Sequence, residues 1–198
     1  MSKPSIILAS ASPRRAELLK AAGIQFEVVV SPAPEPERKP AGIPVELWPM
    51  CLAYMKAQAV ARKLQTRKSK PEMRVILAAD TIVVDGERIL NKAADRAHAR
   101  RMLLSLQGKT HRVITGIALL RGDAVRLASA EALCKVGRFG RGALDGYLAS
   151  RQWVGKAGAY GIQDQRDPFV TLVRGAFSTV VGLPMTLVKS ELASFGRK

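Results

Sequence analysis

Leu8-Ala9-Ser10-Ala11-Ser12-Pro13-Arg14-Arg15 is the stretch on which the reading of this chain turns. The apolar residues 6–9 predict a buried strand, and the chain then meets small hydroxyl residues and a proline. Ser12 suits a helix N-cap, Pro13 suits the first helical position, and Glu17-Leu18-Leu19 carry the helix onward. A strand that feeds a helix N-terminus aims free backbone N–H groups and the positive end of the helix dipole at one spot. Here two serines and two consecutive arginines flank that spot, and the planar fork of arginine matches phosphate oxygens. Taken alone, the segment fits an anion site and equally fits a capped helix with solvent-facing arginines.

Working outward, Gly23 ends this helix and residues 26–30 predict a second strand. Residues 31–44 contain Pro32, Pro34, Pro36, Pro40 and Pro44 and predict an irregular loop. Residues 45–64 have helical character, with Pro49 marking either a kink or the first turn, and 67–72 form a polar connector. Residues 75–79 predict a short buried strand that stops at Asp80. Val83-Val84-Asp85-Gly86 before Arg88-Ile89-Leu90 reads as a tight hairpin. Residues 95–106 predict a helix capped by Asp95, with Ala99, Met102, Leu103 and Leu106 on one face and Gly108 as its stop. Residues 110–136 read as long strands turning at Gly122-Asp123, and 141–149 as a short helix. Residues 156–163, 169–173 and 177–181 predict further strands, and 184–195 a closing helix. The mixture of helices with consecutive strands predicts an α/β domain built on a mixed sheet.

At 198 residues the chain fits one domain, 1–198, large enough to bury a real core. A hydrophobic fraction of 47% argues against disorder, and no apolar window approaches the ~18 residues needed to span a bilayer. No apolar segment with a small-residue cleavage site follows Met1-Ser2-Lys3-Pro4, so no signal peptide is expected. Cys51 and Cys134 lie far apart without metal spacing, as free thiols of a cytoplasmic protein would. The net charge of +16 would attract any polyanion. The basic residues are scattered among apolar elements, however, and aromatics make up only 5%, thin for a base-stacking surface. The charge is therefore read as solubility and steering, with no nucleic-acid site expected.

Asp80, at the end of an apolar strand, is placed to hold a metal or orient a water, or else serves as a turn or cap residue. Glu35 in the proline-rich loop is a possible partner carboxylate or a solvated loop charge. Lys56, among apolar helix positions, and Lys92, after the hairpin, either bind anions or snorkel to solvent. The glycine-rich run 155–163 lacks the context of a phosphate-binding P-loop. His98 and His111 stand singly, and neither is expected to be catalytic.

Together these segments resemble the Maf family of nucleoside triphosphate pyrophosphatases, relatives of the inosine-triphosphate pyrophosphatases. The resemblance runs from Leu8 to Arg15 with Glu17-Leu18-Leu19, through Ala79-Asp80-Thr81, Lys92 and Gly108-Lys109-Thr110-His111-Arg112-Val113-Ile114-Thr115-Gly116. It continues through Lys156-Ala157-Gly158-Ala159-Tyr160-Gly161-Ile162-Gln163 to Val181-Gly182-Leu183-Pro184. It implies an elongated mixed β-sheet flanked by helices, in two lobes with a central cleft. It also implies hydrolysis of a nucleoside triphosphate between the α and β phosphates with a divalent metal cation, magnesium or else manganese or cobalt. Asp80 matches the general base and a metal-side carboxylate, and Glu35 the second acidic residue. Ser10, Arg14, Arg15, Lys56 and Lys92 match the phosphate-binding set, while Arg14, Thr81 and Gln163 match positions linked with base selection. Asp80-Thr81 and Tyr160-Gly161-Ile162-Gln163 resemble the subgroup acting on dTTP and UTP, and the family implies a homodimer.

Three departures from the family pattern bear on chemistry. Pro34-Glu35 stands where an Asp-Glu pair is usual, Asn91-Lys92-Ala93 where Gly-Lys-Pro is common, and Asp164-Gln165-Arg166-Asp167 replaces small residues after Gln163. The alternatives are a nucleotide-sensing regulatory or cell-division protein and a nucleic-acid-binding protein, both without turnover.

Overall fold

The computed structural model describes residues 6–34, 36, 38–65, 74–163 and 169–195. Its elements in chain order are β1 (Ile6–Leu8), α1 (Pro13–Ala21), β2 (Phe26–Val28), α2 (Trp48–Gln65), β3 (Val75–Asp85), β4 (Arg88–Leu90) and α3 (Arg96–Leu106). There follow β5 (Thr110–Arg121), β6 (Ala124–Val136), α4 (Ala143–Ala149), β7 (Val170–Arg174), α5 (Phe177–Val181) and α6 (Met185–Phe195). The strands form one seven-stranded sheet in the order β2-β1-β3-β5-β6-β7, with β4 added to β3. β1 pairs in parallel with β2 and β3, whereas β3–β4 and β6–β7 are antiparallel. The α/β class with a mixed sheet flanked by helices is as the sequence predicts.

The chain divides into two compact units, and β3, β5 and β6 run through both. Unit 1 comprises Met1–Asp80, Thr115–Ala130 and Gly182–Lys198; unit 2 comprises Thr81–Ile114 and Glu131–Val181.

In unit 1 the alternation of strand side chains sorts the core into two faces. Ile6, Leu8, Val75, Leu77, Ala79, Ile117 and Leu119 pack with Leu19 of α1 and with Val188 and Phe195 of α6. Ile7, Ala9, Ile76, Ala78, Ala118 and Leu120 pack with Ala53, Ala57 and Val60 of α2. Both faces are covered, which is why residues 6–9 and 75–79 read as unbroken apolar runs. Small residues alternate with larger ones on the α2 face, and at Gly116 α2 sits close to the sheet. A Cβ added to Gly116 of β5 would lie 2.3 Å from the backbone nitrogen of Met50.

Unit 2 has its own core, in which Ala99, Met102, Leu103 and Leu106 of α3 meet Val113, Cys134, Val136, Leu148 and Trp153. The Asp95 carboxylate caps α3, accepting from the His98 N–H at 2.6 Å. The predicted β3–β4 hairpin turns at Gly86, φ +61°, and its register sets Val83 opposite Leu90.

Several predictions of local structure need correcting. β2 ends at Val28 rather than at residue 30. β3 does not stop at Asp80 but runs on to Asp85, because the β-branched run Thr81-Ile82-Val83-Val84 continues the extended chain. Residues 156–163 are turns, broken by left-handed backbone at Gly158 and Ala159 (φ +69° and +61°). Residues 177–181 are helical, since the left-handed Gly175 (φ +94°) reverses the chain and the Thr179 N–H closes a turn on Ala176. Ser12 holds the N-cap position of α1, yet its side chain makes no cap bond. The polar connector 67–72 lies outside the described residues.

Candidate active site

The parallel ladder ends where β1 ends. Leu8 pairs with Leu77, the Ala9 N–H donates to the Leu77 carbonyl at 2.8 Å, and the chain then leaves for α1. Ser10 and the loop after β2 therefore lie just beyond the carboxyl ends of parallel strands, where α/β sheets bind ligands, and Asp80 lies on β3 just past the end of the parallel ladder. The rule holds here for the end of the ladder, although β3 itself continues.

On β3, Ile76 and Ala78 face α2, and Asp80 follows them in the same alternation. On α2, Ala53, Lys56, Ala57 and Val60 fall on one helical stripe. Lys56 is thus a cation on the buried face, aimed at a carboxylate on the strand beneath. Its ammonium forms an ion pair with Asp80 Oδ1, the two side chains being 13% and 14% exposed. The reading of Asp80 as a turn or cap residue fails, as does that of Lys56 as a snorkelling surface charge.

In the β1–α1 turn the buried Ser10 hydroxyl accepts from the Ser12 N–H at 3.2 Å and from an Arg15 Nη at 3.1 Å. Arg15 Nε donates to the Gly182 carbonyl at 2.8 Å. Arg15 therefore ties the turn to the segment that opens α6, besides carrying charge. Arg14 is half-buried in the first turn of α1. Ser31, not singled out from the sequence, donates its hydroxyl to the Lys56 carbonyl at 3.0 Å and accepts from the Ala33 N–H at 3.2 Å. It fastens the proline-rich loop to α2 at the residue that pairs with Asp80. Glu35 itself, like Asp164 to Asp167, lies outside the described residues.

The remaining predicted residues belong to unit 2. Thr81 follows Asp80 on β3 and is half-buried. Lys92 is exposed, and its backbone forms an isolated bridge with Ala157. Gln163 is half-buried at the end of the turn segment 156–163. His111, set aside from the sequence, is buried, and its Nε2 lies 2.6 Å from the Tyr160 hydroxyl. Burial lowers the pKa of His111 to about 4 against the opposing pull of Asp85, and burial raises that of Cys134 to about 11. The signal for His111 was present: with Val113 buried, strand alternation puts His111 on the same inward face.

Among the described residues no group of three or more His, Cys, Asp or Glu side chains is arranged to hold a metal. Asp80 offers a hard oxygen. Magnesium-like cations take one or two carboxylates and complete their shell with substrate phosphates and water, a scheme in which a single carboxylate such as Asp80 could serve.

A family model for Maf-like proteins matches residues 5–195. The chain belongs to the Maf family. Among Maf relatives, it is 40% identical over 194 residues to a protein of Cereibacter sphaeroides named dTTP/UTP pyrophosphatase, covering 97% of this chain and 95% of that one. Proteins of the same name from Bacillus anthracis and Symbiobacterium thermophilum are each 39% identical, covering 96% of this chain and 95% and 94% of theirs. No helix among the described residues is long and apolar enough to cross a membrane.

Proposed function

We propose that this Maf protein is a nucleoside triphosphate pyrophosphatase acting on dTTP and UTP, and that residues 1–198 form one Maf-like domain. The relatives' shared name supports the substrate class. The observation that carries the chemistry is the Lys56–Asp80 pair at the end of the parallel ladder. Phosphoanhydride hydrolysis asks a protein for little covalent work; it asks for cations against the equatorial oxygens and for a water held in line with the leaving group.

In this reading the Asp80 carboxylate orients a water and accepts its proton as the water oxygen bonds to the α-phosphorus. The bond from that phosphorus to the α–β bridging oxygen breaks, and pyrophosphate leaves with the electron pair. Lys56 holds Asp80 in place. Arg14, Lys92 and the Ser10 turn bind phosphate oxygens, with Arg15 bracing that turn. Thr81, Gln163 and Arg14 select the base. A divalent cation held by Asp80 and Glu35 with the substrate phosphates, magnesium or else manganese or cobalt, would offset phosphate charge and make the water more acidic. Cys51 and Cys134 are free, which suits the reducing cytoplasm. A homodimer is the assembly the family resemblance implies, and light scattering on the purified protein tests it.

The deciding experiment is pyrophosphate release from dTTP, UTP, CTP, GTP, dITP and 7-methyl-GTP, with and without magnesium, manganese or cobalt. Metal-dependent release led by dTTP and UTP is expected. Release led by another base discards the pyrimidine assignment but keeps the reaction. Binding without release from any nucleotide overturns the enzymatic reading in favour of nucleotide sensing.

A further inference from the structure

Residues 156–163 are held in place at three points within unit 2. Ala157 bridges to Lys92, and the Gly158 N–H donates to the carbonyls of Leu90 and Asn91, each at 3.2 Å. Two residues on, the buried Tyr160 hydroxyl meets His111 Nε2 on β5 at 2.6 Å, with the two rings edge to face at 5.3 Å. Between these anchors the backbone is left-handed at Gly158 and at Ala159, a conformation costly for a residue with a Cβ. A Cβ at position 158 would be crowded as well, lying 3.1 Å from Tyr160 Cε1 and from Val83 Cγ1. A strained turn persists only where its surroundings over-determine it.

His111 and Tyr160 are more than packing. Both are at least nine-tenths buried, and an apolar pair of similar shape would fill the same space without the cost of burying two polar groups. What the Nε2 contact adds is direction: it fixes one orientation of the Tyr160 ring among several that packing would allow, while the buried His111 Nδ1 has no partner among the described residues. The contact lies three residues before Gln163, at the point where the turn segment leaves Ala159.

We infer that His111, acting through Tyr160, is a positioning residue for Gln163, setting where its amide stands and hence which nucleobase edge it accepts. This rests on the proposed role of Gln163 in base selection. Neither His111 nor Tyr160 touches the reacting phosphates in this scheme. Loss of the contact acts on KM and on discrimination between bases more than on kcat.

The test uses the full-length protein with Tyr160→Phe, His111→Leu, His111→Gln and Gln163→Ala. Steady-state pyrophosphate release from dTTP, UTP, CTP and GTP is measured beside amide hydrogen exchange of residues 157–163. Tyr160→Phe, which keeps the ring, is expected to speed exchange across 160–163. It should also lower the dTTP-to-CTP ratio of kcat/KM by about five- to tenfold, the scale of one lost hydrogen bond. That fall should come mainly through a higher KM for dTTP. His111→Leu should do the same, and His111→Gln, whose amide still reaches the phenol, should recover part of the ratio. Unchanged exchange and unchanged ratios in Tyr160→Phe, with Gln163→Ala altering the ratio, overturn the positioning role alone; so does an equal fall for every nucleotide. If Gln163→Ala leaves the ratios untouched, the base-selecting role of Gln163 falls and the inference with it, and hydrogen exchange shows whether the anchor itself is real.

Discussion

Lys56 reaches Asp80 because α2 lies close against β5 at Gly116, on a sheet face where Ala9, Ala78 and Ala118 stand beside the larger Ile7, Ile76 and Leu120. The ion pair is thus a product of backbone approach as much as of charge. Asp80→Asn keeps the shape and removes the charge, and is expected to cut turnover by about 10²–10³ or more with the fold intact. Lys56→Met is expected to lose about 10² while leaving Asp80 in place. Full activity in Asp80→Asn, with an unchanged circular dichroism spectrum, defeats the assignment of the base.

The seat of α2 is itself testable. A methyl group at position 116 meets the backbone of Pro49 and Met50 at 2.3 to 2.7 Å, and backbone cannot rotate aside as a side chain can. Gly116→Ala is expected to cost about 2–3 kcal/mol, lowering Tm by roughly 4–12 °C. Activity should fall as well, since the Lys56 stem moves with its helix. Calorimetry showing an unchanged Tm means that α2 has room to shift.

Helix caps give a contrasting pair. Asp95 accepts the His98 N–H, so Asp95→Ala is expected to cost about 1 kcal/mol. Ser12 occupies the equivalent position before α1 without such a bond, so Ser12→Ala should change stability by less than about 0.5 kcal/mol. Urea unfolding of the two variants side by side decides the matter.

His111 makes stability depend on pH. Its pKa is lowered from 6.5 to about 4 by burial, so the folded state prefers the neutral ring. The resulting stability is fully present above pH 6.5 and drains away as pH falls from 6.5 toward 4, in all about 3 kcal/mol. Carboxylates titrate in part of the same window, so the informative quantity is the difference between wild type and His111→Gln. The urea midpoint of the wild type should fall more steeply between pH 6.5 and 4.5 than that of the variant. Parallel curves for the two proteins remove His111 from the acid response.

What local pattern specifies, the sequence showed well. The helix of residues 96–106 has a cap, an apolar stripe and a glycine stop within its own length, and the hairpin at Gly86 carries its turn chemistry in two residues. The turn from β1 into α1 was legible for the same reason. The misreadings fall where distant contacts outvote local propensity. Thr179, Val180 and Val181 are β-branched, yet residues 177–181 turn into a helix after Gly175 and bury Thr179 and Val181. Residues 156–163 read as a strand, yet turn because β4 and His111 hold them in left-handed backbone.

The candidate site divides along the same line. Sequence by itself determined the α/β class, the helix N-terminus that follows Ser10, and the identity of most residues offered for chemistry, because residue type and short spacing suffice for these. Only the tertiary structure decided that Lys56 belongs to Asp80, that Arg15 spans Ser10 and Gly182, that Ser31 moors the loop to α2, and that His111 holds Tyr160. Those partners lie between 5 and 167 residues apart along the chain. Most are joined only when strands and helices from distant segments pack face to face, and no periodicity in a sequence records which stripe will meet which strand.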